Sequence, residues 1–282
     1  MRFLRIGICA LLVFGVAAHG GVEDWARTVL ESGVALLLVA WAGRVYFRSE
    51  EQVVLSPLLL PLGALFLLVT FQWVFHKTAY AYNTRTELQL LLADVILLFL
   101  TAQAFRTLED WKKFVWFAMF FGFVVSTFGI LQHLTFNGKI YWFREMRFGG
   151  IPFGPYVNRN HFAAFAELLI PIPLVPLLIG KVRRERLVVV GLFAVLQMGA
   201  LLLAASRGGI ASFGVEFLAL AIWFAMRRPE GKQLLAGGTL ILVVVLLISW
   251  LGVRQITQRF SAMQSLEITT GKRASMRADT WR

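Results

Sequence analysis

Apolar runs of bilayer length recur along this chain, and they restrict its fold more than any other feature does. A helix needs about 20 predominantly apolar residues to cross the hydrocarbon core of a bilayer. Hydrophobic residues make up 58% of the 282 residues and charged residues only 16%, against roughly 25% charged residues in a soluble globular domain. The sequence therefore predicts an all-α fold, a polytopic transmembrane helical bundle.

The hydropathy pattern predicts about nine spans. Their expected bounds are 3–18, 28–46, 53–75, 86–105, 114–134, 160–179, 187–205, 208–226 and 234–251. We expect N-terminal transmembrane helices over 1–134, a loop over 135–159, core transmembrane helices over 160–251 and the start of a large loop over 252–282. The first run follows two arginines and ends in small residues, as a cleaved signal peptide does. The spans that follow it favour an uncleaved anchor helix instead.

Basic residues predict the orientation of the spans. Lysines and arginines in short loops favour the cytoplasmic side of a membrane. The short turn Lys181-Val182-Arg183-Arg184-Glu185-Arg186 is the strongest such anchor, and it places the N-terminus in the cytoplasm. Loop charges of this kind also account for the formal net charge of +12, so we predict a lipid bilayer rather than a nucleic acid as the partner.

Two segments on the predicted outer side are basic as well. They contain Lys139, Arg144, Arg147 and Arg159 in the first, and Arg254, Arg259, Lys272, Arg273, Arg277 and Arg282 in the second. Arginine binds phosphate oxygens through a planar fork of donors, so a pyrophosphate at the membrane surface fits this pattern. Solvated loop charge or contact with lipid headgroups explains it equally well.

Four acidic residues lie within the predicted spans, namely Glu31, Asp94, Glu167 and Glu216. Such residues usually face the bundle interior or a wet cavity. Glu167 follows Asn160 by seven residues, about two helical turns, so the two share a helix face. Glu216 follows Arg207 by nine residues, which puts them on opposite sides of a helix. A structural and a chemical role are both open for all four acids.

Metal and disulfide chemistry are not predicted. Cys9 is the one cysteine, so no disulfide framework is expected. The histidines are scattered along the chain without the spacing of a metal-binding helix, and they are His19, His76, His133 and His161. We therefore predict no metal site.

Three short motifs occur in the second half of the chain. They are Asn158-Arg159-Asn160-His161-Phe162-Ala163, Ser206-Arg207-Gly208-Gly209, and Arg277 followed by Trp281. In order and spacing the three resemble the Asn-x-Asn-x-x-Ala helix start, the Ser-Arg-Gly turn and the Arg-x-x-x-Trp loop start of the O-antigen ligase and polymerase family of bacterial membrane glycosyltransferases.

The resemblance implies a function at the periplasmic face of the bacterial inner membrane. Enzymes of that family take a glycan from an undecaprenyl-diphosphate carrier and transfer it to a lipid A-core, to another glycan or to a protein, in surface polysaccharide biosynthesis. They use no cofactor and no metal. By motif position Arg207 and Arg277 would bind the diphosphate, with Asn158, Arg159, Asn160 and Glu167 as further candidate substrate-binding residues.

One feature departs from the family pattern. The family's catalytic histidine lies beyond its Arg-x-x-x-Trp motif, and no histidine follows Arg277 here. His161 belongs to the wrong motif to replace it, so we identify no catalytic residue and expect this chain to be the N-terminal portion of a longer enzyme. Two other functions stay open: a transporter or flippase for a lipid-linked oligosaccharide, and a non-catalytic membrane partner in the same pathway.

Overall fold

A computed structural model describes residues 1–47, 52–145 and 151–226, together with Gly231 and Gly238. Within those ranges the regular secondary structure is helical, and backbone pairing outside the helices is limited to two isolated bridges. The predicted all-α class is thereby confirmed. The chain divides into two compact units, Met1–Phe117 and Ala118–Arg282.

The first unit is organised around its fourth helix. It contains α1 (Arg2–Ala17), α2 (Asp24–Phe47), α3 (Leu59–Val74), α4 (Ala81–Ala104) and the first turns of α5 (Leu108–Leu134). Helix α4 packs against α1, α2 and α3. Leu4 and Ile8 of α1 are buried against Leu100 and Ala104 of α4, so the first predicted span is part of the core of this unit.

Gln103, near the end of α4, forms hydrogen bonds to the segment between α2 and α3. Its side chain is fully buried. Its Nε2 donates to the Val54 carbonyl at 2.6 Å, and its Oε1 accepts from the Val54 N–H at 3.1 Å. Arg106 also donates through Nη2 to the same Oε1 at 2.9 Å. One amide group thus pairs with both backbone polar groups of a residue outside the helices, and the buried amide of Gln103 is itself satisfied by these bonds.

The second unit is organised around α8 (Leu187–Ala204). It also contains the rest of α5, then α6 (Arg159–Leu169), α7 (Pro171–Leu178), a 3-10 turn (Arg184–Arg186) and α9 (Arg207–Met226). Helix α8 packs against α6, α7 and α9. It meets α5 at a glycine: a Cβ added to Gly122 would lie 2.8 Å from Nε2 of Gln197, and that Nε2 donates to the Met119 carbonyl at 3.2 Å.

The sixth predicted span is interrupted by prolines. Helix α6 ends at Leu169 and α7 begins at Pro171, although Ile170 between them keeps helical dihedral angles. Proline has no N–H, so Pro171 cannot donate to the Glu167 carbonyl, nor Pro173 to the Leu169 carbonyl. The helical hydrogen bonds to the Glu167 and Leu169 carbonyls are therefore missing. Residues Arg159–Leu178 nevertheless form one continuous apolar segment.

Six helical segments in the described part are long and apolar enough to cross a membrane. They are Asp24–Phe47, Ala81–Ala104, Leu108–Leu134, Arg159–Leu178, Arg184–Ala204 and Arg207–Met226. Helices α1 and α3, which match two further predicted spans, have 16 residues each. The ninth predicted span, over 234–251, lies outside the described residues. The total of nine spans and the cytoplasmic N-terminus stay predictions.

The hydrogen bonds between Gln103 and Val54 lead to a stability prediction. Gln103→Leu keeps the side-chain volume but leaves the Val54 N–H and carbonyl without their partner. We expect the free energy of unfolding to fall by about 1–3 kcal/mol, the usual effect of stranding such groups. Thermal unfolding in detergent measures this as a lower midpoint. Gln72→Leu, at an exposed position of α3, is the matched control, and equal midpoints for the two variants would contradict the assignment.

Candidate functional site

Two of the three motifs form helix N-caps. Asn158 precedes α6, and its Oδ1 accepts from the backbone N–H of Asn160 at 2.9 Å. Ser206 precedes α9, and its Oγ accepts from the backbone N–H of Gly209 at 3.2 Å. Asparagine and serine are preferred at such positions because their side-chain oxygens satisfy donors that the first helical turn leaves open.

A side-chain hydrogen bond joins the two helix starts. The Ser206 hydroxyl donates to Oδ1 of Asn160 at 2.9 Å, and Ser206 is only 2% exposed. Its hydroxyl therefore donates across to α6 while it accepts from α9. Because the two residues are 46 positions apart, this bond brings distant motifs into one site.

Gly209 allows α6 and α9 to approach closely. A Cβ added to Gly209 would lie 2.5 Å from Cβ of Ala163 and 3.1 Å from Oε1 of Glu167. Asn160 of α6 bonds to Ser206 at the start of α9. Three residues further along each helix, Ala163 faces Gly209. Helices α6 and α9 are therefore parallel, and their N-termini lie at the same end. Glu167 and Asn160 both face α9, which confirms the prediction that they share a helix face.

Each of the two helices begins with an arginine, Arg159 in α6 and Arg207 in α9. Helix N-termini carry partial positive charge, so two adjacent N-termini and two guanidinium groups make this end strongly electropositive. Nη1 of Arg159 is buried and has no hydrogen-bond partner in the described part of the chain. Arg207 is exposed. An anion with several oxygens is the chemical partner that such an arrangement favours.

A tight turn directs the chain into α6. Phe153 and Tyr156 exchange backbone hydrogen bonds of 3.1 and 3.2 Å. Gly154 has a φ of +56°, and a Cβ on it would lie 3.3 Å from Cα of Gly129 in α5, so glycine suits both the backbone angle and the close packing. Burial raises the pKa of the Tyr156 phenol, which keeps it neutral. The Arg159 N–H then donates to the Ile151 carbonyl at 3.0 Å.

Gln132 of α5 holds this turn to the preceding loop. With its amide oriented to satisfy both neighbours, it donates to the Gly154 carbonyl at 2.8 Å and accepts from the Tyr141 N–H at 2.9 Å. Gln132 is 2% exposed. The sequence does not predict this role of Gln132, because a glutamine near the end of an apolar span carries no signal that identifies its partners.

Two carboxylates lie further along α6 and α9. Glu167 of α6 and Glu216 of α9 lie near enough to interact electrostatically, and Oε2 of Glu216 is buried without a hydrogen-bond partner among the described residues. Both acids lie about two helical turns or more beyond the arginines that begin α6 and α9. The other two acids noted in the sequence, Glu31 in α2 and Asp94 in α4, belong to the first unit.

The structure thus brings together five of the six predicted site residues: Asn158, Arg159, Asn160, Glu167 and Arg207. The sixth, Arg277, lies outside the described residues together with Trp281. Within the described ranges no group of three or more histidine, cysteine, aspartate or glutamate side chains could hold a metal ion.

Comparison with known protein families, with characterised proteins and with solved structures finds no match for this chain. The family resemblance of the motifs stays a prediction.

Gly209 provides a test of the joined helix starts. Gly209→Ala adds a methyl group against Ala163, and the helices must separate, so we expect a loss of about 1–3 kcal/mol in the free energy of unfolding. Gly208→Ala is the control, because a Cβ there meets nothing within 4 Å and alanine favours the helix. Thermal unfolding of both variants in detergent makes the comparison. A Gly209→Ala variant as stable as Gly208→Ala would exclude the close approach.

Proposed function

We propose that the joined N-termini of α6 and α9 bind the diphosphate of a polyprenyl-linked glycan, and that this protein transfers the glycan to a lipid or glycan acceptor at the outer face of the inner membrane. One observation carries the proposal: Arg159 and Arg207 are the first residues of two parallel helices whose starts are joined by the bond from Ser206 to Asn160.

The chemistry of the site fits a diphosphate better than a single carboxylate. Each helix N-terminus favours negative charge, and each guanidinium can form paired hydrogen bonds to phosphate oxygens. Two such units side by side match two linked phosphates. The buried Nη1 of Arg159, which has no hydrogen-bond partner in the described residues, gains one when an oxyanion binds. The three motifs, which resemble those of the O-antigen ligase family, support the same ligand.

The proposed location follows from the basic turn at the other end of the unit. The segment Lys181-Val182-Arg183-Arg184-Glu185-Arg186 joins α7 to α8, at the end opposite to the arginine site. Basic short loops favour the cytoplasm, which assigns the arginine site to the outer side. Trp142 and Phe143, exposed in the loop before α6, suit the interface between lipid and water.

In the proposed reaction an acceptor hydroxyl attacks the anomeric carbon of the carrier-bound sugar. A carbon–oxygen bond forms, the bond between the sugar and the diphosphate breaks, and undecaprenyl diphosphate leaves with the bonding electrons. The hydroxyl proton passes to a general base, the role that the resembled family gives to a histidine of its large periplasmic loop. Arg159 and Arg207 stabilise the charge that develops on the leaving diphosphate, and fixed donors are effective at this task.

A binding measurement tests the ligand directly. Arg159→Ala or Arg207→Ala removes one charged donor, and each loss weakens binding of undecaprenyl diphosphate by roughly 10- to 100-fold, because a hydrogen bond to a charged group contributes about 1.5–3 kcal/mol. Isothermal titration in detergent micelles measures the affinity of the purified chain.

Arg184→Ala is the matched control, since Arg184 is an exposed arginine in the turn at the opposite end of α8. Its affinity should equal that of the wild type. If Arg184→Ala weakens binding as much as the other two variants do, the ligand responds to net charge rather than to the site.

An activity measurement separates glycan transfer from transport. In the native host, Arg207→Ala and Arg277→Ala should abolish glycan transfer while membrane insertion stays intact, because both arginines would bind the leaving diphosphate. The readout is the glycan-capped acceptor lipid, resolved by gel electrophoresis, with membrane fractionation as the control for insertion. Normal capped lipid from both variants would reject the proposal, and movement of carrier-linked glycan across vesicles without covalent transfer would favour a flippase.

A further inference from the structure

The first unit contains a cavity that the proposed glycan site does not use. It lies between α1 and the first turns of α5 and has a volume of about 560 Å³, within the range of roughly 300–1,000 Å³ that is usual for ligand pockets. Four of its lining residues are charged: Arg2, Arg5, Asp110 and Lys113. The remaining lining residues are apolar side chains and Cys9.

The charged residues leave the cavity with an excess of positive charge. Arg5 is paired with Asp110. Arg2 and Lys113 are exposed, and in the described part of the chain neither of them forms an ion pair. The acid next to Asp110 in the sequence, Glu109, is hydrogen-bonded by Lys112 at 2.7 Å, and it interacts with Lys113 only through electrostatic attraction. Two cations therefore remain available to an anion at this rim.

The charge is confined to one end of the cavity. Arg2, Ile6 and Cys9 follow one another along one face of α1, at helical spacings of four and three residues. Phe114 and Phe117 follow Asp110 in the same way along α5. Because both helices begin at the charged end, the lining changes from basic to apolar along their length. Ile6 is 59% exposed, so the apolar part is open at the side.

We propose that this cavity binds one anionic phospholipid molecule. The lipid phosphate contacts Arg2 and Lys113, and an acyl chain lies along Ile6, Phe114 and Phe117. A basic rim above an open apolar wall matches the two parts of such a lipid, and basic pockets at the cytoplasmic ends of transmembrane helices bind anionic headgroups. In the proposed orientation this rim faces the cytoplasm. The inference does not depend on the proposed glycan transfer.

Cys9 makes the cavity accessible to experiment, because it is the only cysteine in the sequence and lines the apolar part. The full chain in detergent is labelled with a maleimide while dioleoyl phosphatidylglycerol is titrated in, and native mass spectrometry counts the lipids that stay bound. We expect phosphatidylglycerol to slow labelling with one lipid retained. Phosphatidylcholine and soluble glycerol phosphate, at the same concentrations, should leave the labelling rate unchanged.

Variants identify the contacts. In Arg2→Ala with Lys113→Ala, protection by phosphatidylglycerol should require roughly 30-fold more lipid, the combined effect of two charge contacts. Arg2→Lys with Lys113→Arg keeps both charges and should retain protection, which separates charge loss from misfolding. Lys112→Ala is the matched control, since Lys112 is an exposed lysine outside the lining, and it should behave as the wild type does.

Four results would overturn the proposal. Equal protection by phosphatidylcholine, or undiminished protection in the Arg2→Ala with Lys113→Ala variant, would show that the cavity does not select an anionic headgroup. Protection by glycerol phosphate alone would show a site for a free phosphate. A retained phosphatidylglycerol that leaves Cys9 labelling unchanged would place the lipid elsewhere on the protein.

Discussion

The hydrogen bond from Ser206 to Asn160 is the interaction on which the candidate site depends. By itself a hydrogen bond of this kind contributes only about 0.5–1.5 kcal/mol. Its importance is geometric, because it fixes the starts of α6 and α9 at the same level. Gly209 then lets the two helices remain in contact at Ala163. Without this alignment, Arg159 and Arg207 would begin two unrelated helices.

The aligned helix starts explain why the polar motifs occur beside long apolar segments. The side-chain oxygens of the motif residues already accept hydrogen bonds within the protein. The acceptors are Oδ1 of Asn158 and Oγ of Ser206, which bind backbone N–H groups, and Oδ1 of Asn160, which binds the Ser206 hydroxyl. In the proposed diphosphate site their contribution is thus indirect: they hold the two arginines in position. The buried turn around Gly154, held by Gln132, supports α6 from the other side. Hydrogen bonds therefore hold the helix starts that carry the two arginines, and donors held in place stabilise charge effectively.

Composition and residue type account for a large part of this arrangement. The helical class follows from apolar runs of bilayer length, and the break between α6 and α7 follows from the missing N–H groups of Pro171 and Pro173. A shared face for Asn160 and Glu167 follows from helical periodicity. In each of these cases the cause is local in sequence, so it could be identified without the fold.

The remaining contacts could not be predicted, because their partners lie far apart in the chain. Nothing near Ser206 indicates that its hydroxyl binds a residue 46 positions earlier. Gln103 likewise forms hydrogen bonds to Val54, which lies 49 positions earlier in the chain. The length of the third span was also overestimated: α3 has 16 residues, because the segment before it is not helical and is bonded to Gln103 at Val54. Such partners are set by tertiary packing, which one sequence without its fold does not specify.

The most direct test of the central claim compares undecaprenyl diphosphate with undecaprenyl monophosphate as ligands of the same purified chain. If both arginines bind one diphosphate, the wild-type protein should prefer the diphosphate by about tenfold or more, since a second charged contact contributes more than 1.4 kcal/mol. Arg159→Ala and Arg207→Ala should each remove most of that preference. Equal affinity for the two lipids in the wild type, or a preference unchanged in both variants, would contradict the account.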